Sequence, residues 1–239
     1  MSSVAIVMPY YNEKEFLVKS VEAITKQTYK DWHLYLIDDG TPKGNTAFET
    51  LNLQPEHVAK TTIVWKPNGG VSSARNIALT LIAFEDCDYI AYCDSDDNWD
   101  SDHLEKQIEC LNSKGHHELV YAGVRCRFPD GSIAVPFGIS NYSEYPGLQT
   151  LLKGNFIYIS GVLHSKHSIS HKWFDGNLNG IEDWDMWCRI AEDGSRFIKG
   201  PETVTYVVKP GNTGNAAKSN SAIYESFYRK HSKYIDAAT

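Results

Sequence analysis

The 239-residue sequence predicts an α/β fold, a mostly parallel central sheet with helices on both faces. Three observations carry that prediction. Short, continuously apolar runs alternate with stretches of helical periodicity through the first half of the chain. The runs end in polar or glycine-rich clusters: Tyr11-Asn12, Asp38-Asp39-Gly40, Asn68-Gly69-Gly70 and Asp94-Ser95-Asp96-Asp97. Hydrophobic residues make up 42% of the chain, enough for a buried core. Ligands of such sheets bind beyond the carboxyl ends of the strands, so polar groups at successive strand ends point to one site.

Taken in order, Val4 to Met8 reads as a strand covered on both faces, with Pro9 as its stop. Asn12 is placed to cap the next helix, with Glu15 three residues on in the capping-box position. Phe16, Leu17, Val21 and Ile24 then recur at helical spacing. His33 to Ile37 and Thr62 to Trp65 are the second and third strands. Ser73 to Phe84 is a helix with Ile77, Leu81 and Ile82 on one side, and Tyr89 to Cys93 is the fourth strand. Leu104, Ile108 and Leu111 mark another helix, with Gly115 as its C′ residue. Leu119 to Arg127 is a strand, Phe128 to Ser132 a turn, and Pro136 to Pro146 a Gly-, Pro- and Ser-rich stretch. A short helix spans Leu148 to Lys153, and Glu182-Asp183-Trp184-Asp185 opens a longer one through Ala191. Val204 to Val208 is a strand, Pro210 to Asn220 has loop composition, and the last helix runs from about Ala222 to Tyr234.

Bulk properties exclude several classes. A net charge of -7 and a pI near 5.7 argue against a nucleic-acid partner, which calls for a basic face. No apolar stretch approaches the ~20 residues that cross a bilayer. The N-terminus enters Val4 to Met8 without a basic leader, so a cytoplasmic protein is expected. Cys87, Cys93, Cys110, Cys126 and Cys188 are scattered, odd in number and without a C-x-x-C pair. They read as reduced thiols and not as a disulfide frame or zinc site.

The aspartate cluster is the sharpest chemical signal. Carboxylates a few Å apart beside a low-dielectric wall repel strongly, and a hard divalent cation with oxygen ligands relieves that cost. Asp94 and Asp96 lie two apart and face the same way in an extended segment. The other reading is a solvated acidic turn that caps the following helix; the coincidence of four polar strand ends favours a site.

Val7-Met8-Pro9-Tyr10-Tyr11-Asn12-Glu13, Ile37-Asp38-Asp39-Gly40, Gly69-Gly70-Val71-Ser72-Ser73-Ala74-Arg75-Asn76, Asp94-Ser95-Asp96-Asp97 and Glu182-Asp183, in this order, resemble glycosyltransferase family 2. The resemblance covers roughly the first 190 residues. It implies a GT-A fold of the nucleotide-diphospho-sugar transferase type and an inverting enzyme that binds a nucleotide-sugar and a divalent metal, Mn²⁺ or Mg²⁺. By that resemblance the turn from Pro9 through Tyr11 to Asn12 lies against the nucleotide, Asp39 accepts from the base imide, which favours UDP, and Arg75 reaches toward nucleotide and phosphates. Gly70 counts with these donor-binding residues. Asp94 lies near ribose or metal, Asp96 or Asp97 holds the metal, and Asp183 is the general base. Where the family often has a His after a Tyr-Arg pair, this chain has Lys209, which can neutralise phosphate as a point charge but does not ligate a metal while protonated.

The chemistry fits these residues. A leaving diphosphate must be neutralised, and inversion needs a separate carboxylate to take the acceptor proton. The expected acceptor is a hydroxyl of a surface polysaccharide, lipopolysaccharide or other glycan, free or lipid-linked, and the transferred group a hexosyl or N-acetylhexosaminyl unit. The whole chain, 1–239, is expected to be one domain: a nucleotide-sugar half (1–115), an acceptor half with a flexible loop (116–220) that closes as a lid, and a C-terminal helix (221–239). A sugar-phosphate nucleotidyltransferase should carry a Gly-rich basic loop where Pro9 to Asn12 stands, and is rejected. A carbohydrate- or nucleotide-binding module without turnover is the alternative, and the full acidic set argues against it.

Other residues have plainer readings. Trp187 reads as core, Trp99 as core or sugar-stacking, and Trp184 is left open beside the base. His164, His167 and His171 are taken as surface or acceptor-groove residues. The run from Arg229 to Lys233 beside Phe227, Tyr228 and Tyr234 fits peripheral contact with the inner face of a membrane, or more simply the solvated face of a docked or homodimer-forming helix.

Overall fold

The computed structural model describes residues 3–113, 118–134, 144–169, 172–208 and 221–235. The chain begins with β1 (Val4–Tyr10), α1 (Lys14–Thr25), β2 (Trp32–Asp38), the short helices α2 (Ala47–Thr50) and α3 (Pro55–Val58), β3 (Thr61–Trp65), α4 (Val71–Ile82) and β4 (Tyr89–Tyr92). This half lays down four parallel strands in the order β3-β2-β1-β4. The second half adds β5 (Asn98–Trp99), α5 (His103–Ser113), β6 (Leu119–Arg127), β7 (Ile133–Ala134), α6 (Leu148–Leu151), β8 (Val162–Ser165), α7 (Glu182–Glu192), β9 (Phe197–Val207), α8 (Ser221–Lys230) and α9 (Ser232–Ile235). Its strands extend the sheet past β4 in the order β8-β6-β9-β5, and β7 pairs with the end of β6. β8 runs antiparallel to both β4 and β6, while β6 and β9 are parallel again, so the sheet is mixed and mostly parallel.

Alternation along β1 explains the two covered faces. Val4, Ile6, Met8 and Tyr10 pack into one core with Leu17, Val21 and Ile24 of α1 and Leu104 and Ile108 of α5. Ala5 and Val7 pack into the other with Ala74 and Ala78 of α4, Met186 and Trp187 of α7, and Phe227 of α8.

The structure corrects several local expectations. Pro9 does not stop β1, which continues in register with β2 to Tyr10 opposite Asp38. Val7 C=O accepts from Cys93 N–H. By alternation the Pro9 nitrogen faces that same β4 side, beyond the point where β4 ends, so its missing N–H costs little. Asn12 does not cap α1: the cap position is Glu13, with no side-chain bond. Asn12 instead sits at φ +54°, and its N–H donates to Thr41 Oγ1 at 3.0 Å. β8 and the first half of β9 carry no strand signal in the sequence. β8 has only four residues, two of them polar, and in β9 Gly200-Pro201 looks like a turn. That dipeptide falls where the β6–β9 register shifts, the place a sheet tolerates Pro.

The last helix is broken at His231 into α8 and α9. Gly115, Lys209 and the 210–220 loop lie outside the described residues, as does 135–143, most of the Pro136–Pro146 stretch. Among the described residues all five cysteines are free thiols, buried or half-buried, and no helix is long and apolar enough to cross a membrane.

Candidate active site

The ends of β1, β2 and β4 meet the start of α4 around an open cleft of about 200 Å³, bordered by Pro9, Tyr11, Asp39, Asp94 and Asp96. A larger cavity of about 600 Å³ opens at the opposite, amino-terminal end of β4; His167 lines it, and none of the residues predicted for donor, metal or base does. The clustering of polar side chains identifies the smaller cleft as the candidate site.

Two adjacent aspartates shape its nucleotide side. Asp38 is buried, and its oxygens accept from Thr41 N–H at 2.9 Å and Ala47 N–H at 2.8 Å, which fixes the loop after β2. Asp39 faces the other way. It accepts from Gly69 N–H at 3.0 Å and Gly70 N–H at 2.8 Å and pairs with Lys66. These three donors leave acceptor capacity for one more. Gly40 is required here: φ is +83°, and a Cβ would come within 2.5 Å of Asn68 N. Gly70, at φ +85°, occupies the N-cap position of α4. Tyr11, 51% exposed, presents a free aromatic face at the rim.

The acidic cluster divides. Asp94 is 26% exposed at its side chain and, with Asp96, borders the cleft. Asp97 is fully buried and turned inward, accepting from Ser160 Oγ at 2.5 Å and Tyr158 Oη at 3.2 Å. Burial, aided by the charges of Asp96 and Asp94, pushes its carboxyl well above the usual range. Of the two metal candidates, only Asp96 faces the cleft; Asp97 is a buried hydrogen-bonding group beneath it. Ser160 Oγ also accepts from Asp94 N–H at 2.9 Å, so one hydroxyl sets both ends of the motif.

Arg75 is not extended into the cleft. It is 3% exposed, donating from Nη2 to Asp94 Oδ1 and from Nη1 to Glu182 Oε1, both at 2.8 Å. Burial works against its charge, but Asp94 and Glu182 outweigh it and hold the pKa above the ordinary arginine value. Glu182 Oε2 accepts from Gly180 N–H at 2.6 Å. Asp183 follows in the first turn of α7, its Oδ1 accepting from Trp184 N–H at 2.7 Å and Asn155 Nδ2 at 3.1 Å. Burial and the neighbouring Glu182 push its carboxyl up to about 7. That is the range in which a carboxylate serves as a base near neutral pH.

The remaining candidates have structural roles or lie elsewhere. His164, expected at the surface or in an acceptor groove, is instead fully buried against Tyr92 Oη at 3.0 Å, and burial pulls it down to about 4. His167 is exposed, and His171 lies outside the described residues. Trp99, Trp184 and Trp187 are core. Asn155, Tyr158 and Ser160 were missed, because they lie in a non-repeating segment whose only signal is its mix of polar and aromatic residues.

The sequence model of glycosyl transferase family 2 matches residues 5–163, two thirds of the chain. The chain belongs to glycosyl transferase family 2. Among the relatives of this family 2 enzyme is the amylovoran biosynthesis glycosyltransferase AmsB of Erwinia amylovora, 24% identical over 235 residues, covering 95% of this chain and 76% of that protein. Another is the UDP-Glc:alpha-D-GlcNAc-diphosphoundecaprenol beta-1,3-glucosyltransferase WfgD of Escherichia coli, 34% identical over 108 residues, 45% of this chain and 40% of that one. Residues 1–349 of S. aureus TarS superpose with a TM-score of 0.65 at 13% identity, over 86% of this chain and 60% of that one. That likeness establishes the GT-A fold. TarS has also been crystallised with UDP and with UDP-GlcNAc.

Proposed function

We propose that this family 2 glycosyltransferase transfers a hexosyl or N-acetylhexosaminyl group from a UDP-sugar, with inversion, to a hydroxyl of a glycan or lipid-linked glycan in polysaccharide assembly. The observation that carries the reading is the bridge from Asp94 through Arg75 to Glu182, which ties a cleft-facing carboxylate to a helix turn whose next residue, Asp183, titrates near neutrality. The relation to AmsB and WfgD supports a role in glycan assembly, and the UDP-bound forms of TarS support the nucleotide.

Each residue then has a task. The remaining acceptor capacity of Asp39 meets the uracil N3–H, Tyr11 stacks on the base, and the turn from Pro9 to Asn12 with Gly70 lines the nucleotide. Among the described residues no three His, Cys, Asp or Glu side chains form a closed metal cage. Two carboxylates on an open cleft suit Mg²⁺ or Mn²⁺, which completes its shell with phosphate oxygens. Asp96, with Asp94, would hold that ion, which would supply positive charge to the departing diphosphate. Asp183 takes the acceptor proton on Oδ2, since Oδ1 is already engaged. Lys209 is assigned to the diphosphate and the 210–220 loop to a lid, from sequence alone.

A thermal-shift screen of UDP, GDP and ADP, with and without Mn²⁺, tests the donor half of this reading. UDP with Mn²⁺ should give the largest rise in melting temperature. Stronger stabilisation by GDP, or a UDP effect indifferent to EDTA, would overturn it.

A further inference from the structure

The first turn of α7 is held by a second set of contacts that the reaction leaves unused. Trp184, next to Asp183, stacks on Phe227 of α8 with ring centroids 4.0 Å apart. Asp185 is fully buried and accepts from Arg189 at 2.8 Å and from Lys230 and His231, each at 3.0 Å. The other ring nitrogen of His231, a residue 1% exposed, lies 2.7 Å from Glu192. Lys230 also donates to Asp175 at 2.8 Å, in the segment that leads to Gly180 and its bond to Glu182. Burial opposes the Asp185 charge, but His231, Arg189 and Lys230 prevail and hold its carboxyl below the ordinary range.

Docking an amphipathic helix requires only an apolar face such as Phe227 supplies. Burying an ion-paired carboxylate adds little net stability, and its best-attested use is to fix register. Register matters at this turn, because a general base must lie within about 3 Å of its proton and an error near 1 Å costs roughly a hundredfold. We propose that α8 and the His231 turn that ends it form a positioning element for transfer, in which Phe227, Lys230 and His231 fix the first turn of α7 and so set the orientation of Asp183. The inference rests on the reading of Asp183 as base. Lys230 and His231 touch no reacting atom; they act through Asp185.

The test uses the full chain and the hydrolysis of UDP-glucose or UDP-GlcNAc, with water as acceptor and Mn²⁺ present. Lys230→Met and Phe227→Leu should each lower kcat roughly tenfold or more and leave the Kd for UDP within about twofold. They should also displace the acid limb of the kcat profile from about 7, because that value depends on how Asp183 faces Glu182, Arg75 and Asn155. Lys230→Arg should restore both. A purely structural role predicts a lower melting temperature with the limb unmoved, or a parallel loss of kcat and UDP affinity, and either result overturns the inference. Phe227→Leu, which keeps the apolar contact, serves if Lys230→Met does not fold. Asp183→Asn separates the two readings: if it keeps hydrolysis, the base assignment fails; if it abolishes hydrolysis while the α8 variants stay at wild-type rate and limb, only the positioning role fails.

Discussion

Arg75 Nη1 donates to Glu182 Oε1 at 2.8 Å, joining residues 107 positions apart. With its second bond to Asp94, this side chain connects the cleft at the end of β4 to the first turn of α7. It also stacks over Phe174, 5.3 Å from the ring centroid, and Asn76, one residue on, exchanges two hydrogen bonds with the Phe174 backbone at 2.8 and 2.9 Å. The turn of α4 that carries Arg75 and Asn76 therefore fixes the relation between the two halves of the site.

Arg75→Met should destabilise the protein by about 3 kcal/mol, the cost typical of leaving one partner of a buried ion pair uncompensated. Glu182 bears most of that cost, being buried, while Asp94 keeps access to water. Urea denaturation measures the change. Arg75→Lys should lose less, because one ammonium reaches one of the two carboxylates.

Catalysis should titrate with Asp183. The base form is the carboxylate, so kcat should fall as pH drops through about 7. Stability moves the opposite way. A carboxyl whose folded pKa lies above its unfolded value of about 3.9 contributes stability at low pH and loses it as pH rises through the folded value. Asp183→Asn should therefore raise the melting temperature relative to wild type at pH 8 more than at pH 4, while reducing turnover by roughly 10²–10⁴-fold. UDP affinity should hold. Activity retained across the pH range would assign the base elsewhere.

Asp96 and Asp97 should separate cleanly. Asp96→Ala should abolish the dependence of UDP binding on Mn²⁺, measured by calorimetry, because the side chain borders the cleft. Asp97 is buried, and Asp97→Ala leaves Ser160 and Tyr158 without their acceptor and should cost about 1–3 kcal/mol, whereas Asp97→Asn keeps one of the two acceptor atoms and should cost less. A Mn²⁺ effect lost in Asp97→Asn and kept in Asp96→Ala would reverse the assignment.

Asp39→Asn should weaken UDP binding by about 1–3 kcal/mol. The amide turns one acceptor into a donor, which cannot serve both Gly70 N–H and a uracil imide. Binding of ADP, whose base lacks that imide, should change much less in the same titration. Equal losses for both nucleotides would place Asp39 in loop structure alone.

Much of the fold was legible because its signals are local. The apolar runs of β1, β2 and β4, the periodicity of α1 and α4 and the acidic opening of α7 each need only a window of neighbours to declare themselves, and all six stand within a few residues of where the sequence puts them. β8 escaped because four residues with a His and a Ser carry no period, and the start of β9 because its Gly-Pro reads as a turn until a bulge is seen to absorb it.

For the site, the sequence by itself determined which chemistry is present: carboxylates at strand ends, a Gly-rich turn before α4, and a distant Glu-Asp pair opening a helix. Only the tertiary structure decided what each group faces. Asp96 and Asp97 are indistinguishable as letters, yet one borders the cleft and the other is buried beneath it, bonded to Ser160 and Tyr158. Arg75 reads as a ligand for phosphate until Glu182, far along the chain, arrives to claim half of its guanidinium. The reason is physical. Residue type fixes which hydrogen bonds and charges a side chain offers, whereas burial and partners from remote segments, which set its protonation and direction, exist only once the chain has folded.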